Sequence, residues 1–301
     1  MRLLVRHRSL WTYPSPATLG PHLIRLRPAS HAAVQVLDYE LLVEPEGALH
    51  WQRDPVGNHV ARLTYASGAT TNALDISAAF TCDVHTVNPF GFLLDAPAAV
   101  APFSYPASWQ PELAPYLDLA PAYLRGGALL HDFLATVPGQ GDTVPLVVAL
   151  NAAIHQHIAY VERHEAGIWT PAETLAAGRG SCRDSAVLLM AVLRTRGLAT
   201  RFVSGYLIEL ANEPSVVGAT PHGSTDRVAL HAWVEVYLPG AGWIGLDPTS
   251  GLLCGEGHVP LACTADPALA APVEGSSDLA ESGVSFTMSL LRLDATVLTP
   301  H

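Results

Sequence analysis

The segment that most constrains the fold is residues 181–197, SCRDSAVLLMAVLRTRG, because it carries signals for both ends of one helix. Ser181 and Asp184 are spaced as an acidic variant of the capping box, and Gly197 stands where a helix-ending glycine is expected. A second helix is predicted at 146–160 from its apolar spacing. Three strand signals follow these helices, TRFVSGYLIEL, LHAWVEVYL and WIGLDPTSG. This order, helices before strands, predicts an α+β domain.

The first 95 residues instead have an all-β pattern. Strand-like pieces alternate with turn signals: LIRLRPA, VQVLDYELLVEP, ALHWQRDPVGNHVARLTY and ALDISAAFTCDVHTV. Such strands are buried most simply by packing one sheet on another, so we predict a sandwich-like N-terminal domain at 1–95. A Pro-rich lead-in opens the predicted core domain at 96–265. Residues 266–301 are assigned to a C-terminal tail with a final strand.

Charge and apolar runs limit the partners of the chain. Lys and Arg total 16 against 27 Asp and Glu, a formal net charge of −11, which disfavours nucleic acid and anionic membrane surfaces. The start, MRLLVRHRSLW, has too short an apolar stretch for a signal peptide, and the later run 186–193 is too short to span a membrane. Four scattered cysteines favour reduced thiols. We therefore expect a cytoplasmic protein with no nucleic-acid or membrane partner, and no nucleotide-binding glycine pattern points to a cofactor.

Cys182 is the candidate nucleophile. As the first residue of the predicted helix it would lie at the positive end of the helix dipole, beside backbone N–H groups that favour a thiolate and can stabilise an oxyanion. Gly178 and Gly180 lack a Cβ and would let a substrate backbone approach. Free cysteines are often buried and inert, so the local sequence leaves both interpretations open.

His231 is the candidate base. Strand alternation along HAWVEVYL places it on one face with Trp233, Glu235 and Tyr237, while the alternate residues form an apolar face. The Trp233 indole would keep the imidazole partly dry, which favours proton exchange with a thiol. A hydrogen-bonded core histidine is the alternative interpretation.

Asp247 follows His231 by 16 residues and is the candidate that orients the imidazole. Its face depends on the hairpin register. If Leu238 pairs with Gly242 across a three-residue loop, Asp247 lies on the face of His231, whereas a four-residue loop turns it away. We predict the three-residue loop or an equivalent bulge at 240–242. A plain turn role for Asp247 in DPTSG is the alternative.

Taken together, GRGSCRDSAVLLMAVLRTRGLATRFVSGYL, LHAWVEVYLPGAGWIGLDPTSG and HVPLACTADPALAAPVEG resemble the bacterial transglutaminase-like superfamily, whose members have a papain-like core. The front of the chain, VRHRSLWTYPSPATLGPHLIRLRP through DPVGNHVARL, is similar to the β-rich N-terminal domain of that family. The resemblance implies acyl transfer through a thioester, with Cys182 as nucleophile, His231 as general base and then acid, and Asp247 as its orienting partner. RVAL before His231 and Ser250 in DPTS depart from the family pattern.

Within that resemblance we expect a cysteine hydrolase acting on a peptide or other amide substrate, because water is abundant unless a site excludes it. Glu235 is a weak sign of the alternative, an amine-using acyltransferase. A non-catalytic peptide-binding module is the third hypothesis. Gln156 and Trp169 are candidate second oxyanion donors, and Trp233 and Gly180 are candidate pocket residues.

Two groupings of His and Cys residues have spacings that raise the possibility of a metal site. His155 and His157, grouped with His164, point to different faces of a helix. The grouping of Cys254, His258 and Cys263 lacks a nearby fourth ligand. We therefore expect no metal.

Overall fold

A computed structural model describes residues 1–163, 165, 167–211, 225–279 and 282–293. Its strands run in chain order as β1 Arg2–Thr18, β2 His22–Ile24, β3 Gln35–Glu44, β4 Ala48–Arg53, β5 His59–Thr64, β6 Thr70–Asp83, β7 Val100–Ala101, β8 Gly141–Asp142, β9 Ala159–Tyr160, β10 Arg179–Gly180, β11 Thr200–Glu209, β12 Arg227–Leu238, β13 Gly242–Asp247, β14 Leu252–Leu253, β15 His258–Thr264, β16 Val273–Glu274 and β17 Gly283–Leu293. The helices are α1 Gln110–Leu117, α2 Gly127–Thr136, α3 Thr143–His157, α4 Pro171–Ala177 and α5 Cys182–Thr195.

The N-terminal region is built from two four-stranded sheets, with strand orders β17-β1-β6-β3 and β16-β2-β5-β4. Their apolar faces bury one shared core that includes Val5, Ile76 and Leu63. The C-terminal segment adds an edge strand to each sheet, since β17 pairs with β1 and β16 with β2. The β-rich N-terminal region is therefore as predicted.

The long strand β1 was not among the predicted strands. It lies in the middle of its sheet, paired with β17 on one side and β6 on the other. Polar residues interrupt its apolar alternation. His7 and Ser9 are nevertheless buried, and hydrogen bonds offset the cost: the two side chains bond each other at 2.8 Å, and His7 bonds the Tyr206 hydroxyl at 2.8 Å. These contacts join β1 to a strand about 200 residues away, which a local pattern does not reveal.

The core domain consists of an antiparallel five-stranded sheet, ordered β14-β13-β12-β11-β15, packed on α5. The apolar face of β12, including Ala232, Val234 and Val236, lies in the same core as α5. Helix α5 is buried on all sides from Asp184 to Arg194, because α3 and α4 also pack against it. The predicted α+β arrangement and the faces of β12 are confirmed.

Both predicted ends of α5 are present. The backbone N–H and hydroxyl of Ser181 donate to Asp184 Oδ2 at 2.9 and 2.7 Å, and Gly197 has the positive φ of +76° that ends the helix.

At the far end of the sheet, Tyr206 and Val259 join the core of the N-terminal region. No helix within the described residues is long and apolar enough to cross a membrane.

Candidate active site

Cys182 is the first residue of α5, with Ser181 as the N-cap, and its free thiol is partly exposed. The first backbone N–H groups of a helix have no partner within it, so they remain available beside the thiol. The arrangement predicted for a nucleophile at a helix start is therefore present.

The start of α5 is held by Asp184, which is fully buried. Arg163 donates to both carboxylate oxygens at 3.1 Å, and the Trp169 backbone N–H donates at 2.8 Å. Burial alone would raise the pKa of Asp184, but these donors and those of Ser181 outweigh it and lower the pKa. The carboxylate therefore serves as the predicted cap, and it fixes the backbone that carries Cys182.

His231 sits on β12 directly opposite Gly205 of β11. Its ring is stacked near the buried Trp233 indole, with centroids 6.3 Å apart and planes 28° apart. A Cβ at Gly205 would collide with that indole and with the Val259 carbonyl. Because Gly205 has no Cβ, the Trp233 indole can occupy this space and pack against the His231 ring.

Asp247 ends β13, and the β12–β13 register brings it to His231. Leu238 pairs with Gly242 and Val234 with Leu246, which is the three-residue loop predicted from the sequence. Oδ2 of Asp247 lies 3.1 Å from Nε2 of His231, at ion-pair distance although the ring N–H is not aligned with that oxygen. The Thr249 backbone N–H donates to Oδ1 at 2.8 Å, and the Ser250 hydroxyl donates to Oδ2 at 3.1 Å.

The electrostatics of this pair favour two charged groups. Burial alone lowers the pKa of His231, but the charge of Asp247 and the close contacts with Asp247 and Cys182 outweigh it and raise the pKa to about 10. Burial likewise raises the pKa of Asp247, yet the nearby imidazoles hold it well below its usual range. With Nε2 on the Asp247 side, Nδ1 is the nitrogen left for the Cys182 thiol. His231 can therefore take the proton of Cys182, while Asp247 stays charged and stabilises the imidazolium.

The local structure gives each of the two glycines before Cys182 a backbone or packing role, and access of a substrate backbone beside them stays a prediction. Gly178 ends α4 in a left-handed conformation with φ +60°. Gly180 is buried, and a Cβ there would stand 3.0 Å from Cβ of Asp184 and 3.3 Å from Thr174 Cγ2. The lack of a side chain is explained at Gly180 by the fit of α4 against the start of α5, and at Gly178 by the left-handed backbone.

Of the other predicted supporting residues, some lie beside the three candidate catalytic residues and some do not. Trp233 lies in the site, whereas the Trp169 ring lies under the Arg163 guanidinium at 4.7 Å and its backbone holds Asp184. Gln156 is exposed on the last turn of α3. Glu235 is buried in an ion pair with Arg201 at 2.6 Å, which corrects the suggestion that it binds an amine.

Tyr160 was missed by the sequence reasoning. It is 54% exposed on β9 and pairs with Gly180 of β10, two residues before Cys182. The pKa of the Tyr160 phenol is raised mainly by burial and, to a smaller extent, by the neighbouring charge of Cys182. Tyr160 thus stands at the open side of the site, but nothing in IAYV signals this, because the pairing joins segments about 20 residues apart.

The sequence-based trio Cys254, His258 and Cys263 does not form a single cluster. Among the described residues, the groups whose donor atoms converge are His31, Glu235 and Cys263, and separately His231, Asp247 and His258. In the first, Glu235 is already paired with Arg201; in the second, the donors face one another. His164 lies outside the described residues.

Known proteins match both parts of the chain. The transglutaminase-like superfamily core matches residues 134–248, and the bacterial transglutaminase-like N-terminal region matches residues 3–83. Uncharacterized proteins of Mycobacterium tuberculosis and Mycobacterium bovis are each 28% identical over 287 residues, which covers 91% of this chain and 87% of theirs.

A crystal structure of a Cytophaga hutchinsonii protein, described as a candidate cysteine protease, has the same fold. It superposes with a TM-score of 0.69 at 20% identity and covers 98% of this chain and 92% of the other. The fold class predicted from the sequence is confirmed by this likeness.

Proposed function

The chain belongs to the transglutaminase-like superfamily, and on this premise we propose that it hydrolyses amide bonds through a thioester on Cys182. One observation carries the proposal. The Cys182 thiol lies at the start of α5 in contact with His231, whose other ring nitrogen is 3.1 Å from the buried Asp247 carboxylate. Cysteine catalysis requires this order of groups: a thiol nucleophile, a general base beside it and a carboxylate that orients the base.

Acylation begins with proton transfer from the Cys182 thiol to His231. Sγ then attacks the amide carbonyl carbon, and the carbonyl oxygen becomes an oxyanion beside the backbone N–H groups at the start of α5. The C–N bond breaks, and His231 gives its proton to the leaving amine. Asp247 stabilises the imidazolium between these two transfers.

Deacylation repeats the steps with water. His231 takes a proton from a water molecule, the oxygen attacks the thioester carbon, and the C–S bond breaks. The carboxylic acid leaves and Cys182 is regenerated as a thiolate beside the imidazolium. The raised pKa of His231 supports this ion pair at neutral pH.

Water is proposed as the acceptor because Glu235, the residue that suggested an amine site, is already engaged. Its carboxylate lies 2.6 Å from the Arg201 guanidinium and is buried. A cationic amine would have to displace that arginine. An acceptor amine would therefore need a different acidic group.

The test is intact mass spectrometry after exposure to a library of amides and peptides, with and without a primary amine. We expect a thioester adduct on the wild type and on Cys82→Ala, a control in β6, and none on Cys182→Ala. Released carboxylic acid, unaffected by added amine, supports hydrolysis. Incorporation of the amine would transfer the proposal to an acyltransferase, and the lack of any adduct would favour the binding module.

Two further expectations belong to the proposal. The net charge of −11 supports a protein without nucleic-acid or membrane partners, and a cytoplasmic location is proposed with it. Cosedimentation with anionic vesicles and a gel-shift assay with duplex DNA test the first, and fractionation of the source cells tests the second.

A further inference from the structure

A second imidazole shares the carboxylate of Asp247. Nε2 of His258, on β15, lies 3.4 Å from Oδ2, the same oxygen that is 3.1 Å from Nε2 of His231. Nδ1 of His258 accepts the backbone N–H of Gly255 at 3.3 Å. The ring proton of neutral His258 must therefore sit on Nε2, where it donates to Asp247.

The His258 ring is held in place by its surroundings. It meets Trp233 edge to face, with centroids 5.2 Å apart and planes 81° apart, and 9% of its side chain is exposed. The turn before it is closed by the His258 backbone N–H, which donates to the Gly255 carbonyl at 3.1 Å. Trp233 thus contacts both histidines, and His258 reaches the carboxylate from a different strand than His231 does.

The carboxylate needs such a donor. The side chain of Asp247 is 2% exposed, and a buried carboxylate is stable only when its oxygens are hydrogen-bonded. The N–H of His231 is not aligned with Oδ2, whereas that of His258 is. Thr249 and Ser250 donate from the same turn as Asp247, so they move with it.

We propose that His258 is a positioning residue, which fixes Oδ2 of Asp247 and so holds the His231 imidazole toward Cys182. The role deepens the proposed function and rests on it. His258 acts through Asp247 and takes no part in bond making.

Several other charged or titratable groups face Asp247. His231 lies on β12, Tyr160 on β9 and Cys254 in the turn before β15. Among the described residues, none of these groups donates an aligned ring N–H to Oδ2 of Asp247, as His258 does. Loss of His258 should therefore leave Asp247 less firmly oriented and raise its pKa.

The test follows the rate of Cys182 alkylation by iodoacetamide against pH, which needs no substrate. We expect His258→Phe to slow alkylation at neutral pH about tenfold and to move the acid limb to higher pH, because a charge-assisted hydrogen bond is lost. His258→Gln, which keeps an N–H donor, should restore part of the rate. His50→Phe, an exposed histidine of β4, should match the wild type.

A folded His258→Phe variant with the wild-type profile would overturn the positioning role. If that variant does not fold, His258→Gln decides together with ¹⁵N shifts of the wild-type ring, where a proton on Nδ1 would refute the bond to Asp247. Failure of the proposed function is a separate result. It would show as a wild-type Cys182 that reacts no faster than an ordinary thiol, while the ¹⁵N shifts still report whether His258 holds Asp247.

Discussion

Leu238 and Gly242 pair at the end of the β12–β13 hairpin, and Pro239, Gly240 and Ala241 form the loop between them. Continuing the register from Val234 and Leu246 places Asp247 opposite Trp233 and diagonal to His231. A shift of one residue would turn Asp247 to the other face of the sheet. The hairpin loop is therefore part of what assembles the site.

Gly240 tests this dependence. It has φ +90°, and a Cβ there would meet the backbone of Leu93 and Asp95. Gly240→Ala should lower the free energy of unfolding by about 2 kcal/mol through strain and crowding. Urea unfolding measures it, with Ala241→Ser as the control. A variant as stable as the wild type would show that the loop tolerates the added Cβ.

Asp247→Asn removes the negative charge that stabilises the His231 imidazolium. We expect kcat/KM to fall by about 100-fold or more, and the pKa of His231 to fall, because desolvation is then no longer opposed. Turnover and NMR titration of the imidazole measure the two effects. Ser250→Ala is the milder control, since it removes one hydroxyl from Oδ2. An unchanged His231 titration in Asp247→Asn would contradict the ion pair.

The free energy of unfolding should decrease at alkaline pH because His231 loses its proton. Its folded pKa of about 10 lies above the unfolded value of about 6.5. It therefore contributes stability that is fully present below the unfolded value and is lost as the pH rises through about 10. We expect the difference in free energy of unfolding between wild type and His231→Gln to shrink over that range. A difference that stays constant from pH 6 to 11 would refute the raised pKa.

Gly205→Ala should disturb the site from beneath. The added Cβ collides with the Trp233 indole and the Val259 carbonyl, so we expect a loss of about 1–3 kcal/mol and slower Cys182 alkylation. Gly68→Ala is the matched control, because its Cβ meets nothing within 4 Å. Its positive φ should reduce stability slightly without changing alkylation. Equal alkylation rates in the two variants would mean that Trp233 does not position His231.

Asp184→Ala should unfold the start of α5. It leaves the partly buried Arg163 guanidinium and the Trp169 and Ser181 backbone N–H groups without the Asp184 carboxylate, which costs about 3 kcal/mol or more. Thermal unfolding checks the loss. Glu173→Gln, which alters the exposed capping box of α4, should have a much smaller effect. If the two variants were equally stable, the Asp184 network would not hold the helix.

The local features of the site followed from the sequence. The bounds of α5 depend on Ser181, Asp184 and Gly197, which act within one or two turns. The faces of β12 follow from strict alternation, whereas the three-residue loop was inferred from the expected partnership of Asp247 with His231. Helix capping and strand alternation act over a few residues, so the sequence alone is enough to predict them.

The remaining features depend on contacts between distant segments, which only the tertiary structure decided. Strand β1 takes its place through partners near residues 80 and 290, and Glu235 is neutralised by Arg201 on the neighbouring strand. Gly180 is small because Asp184 and Thr174 crowd it. His258 looked like a possible metal ligand in the sequence and became a partner of Asp247, because sheet pairing brings β15 to the end of β13 by way of β11 and β12. Burial and hydrogen bonding, which set the role of each of these side chains, are properties of the packed chain.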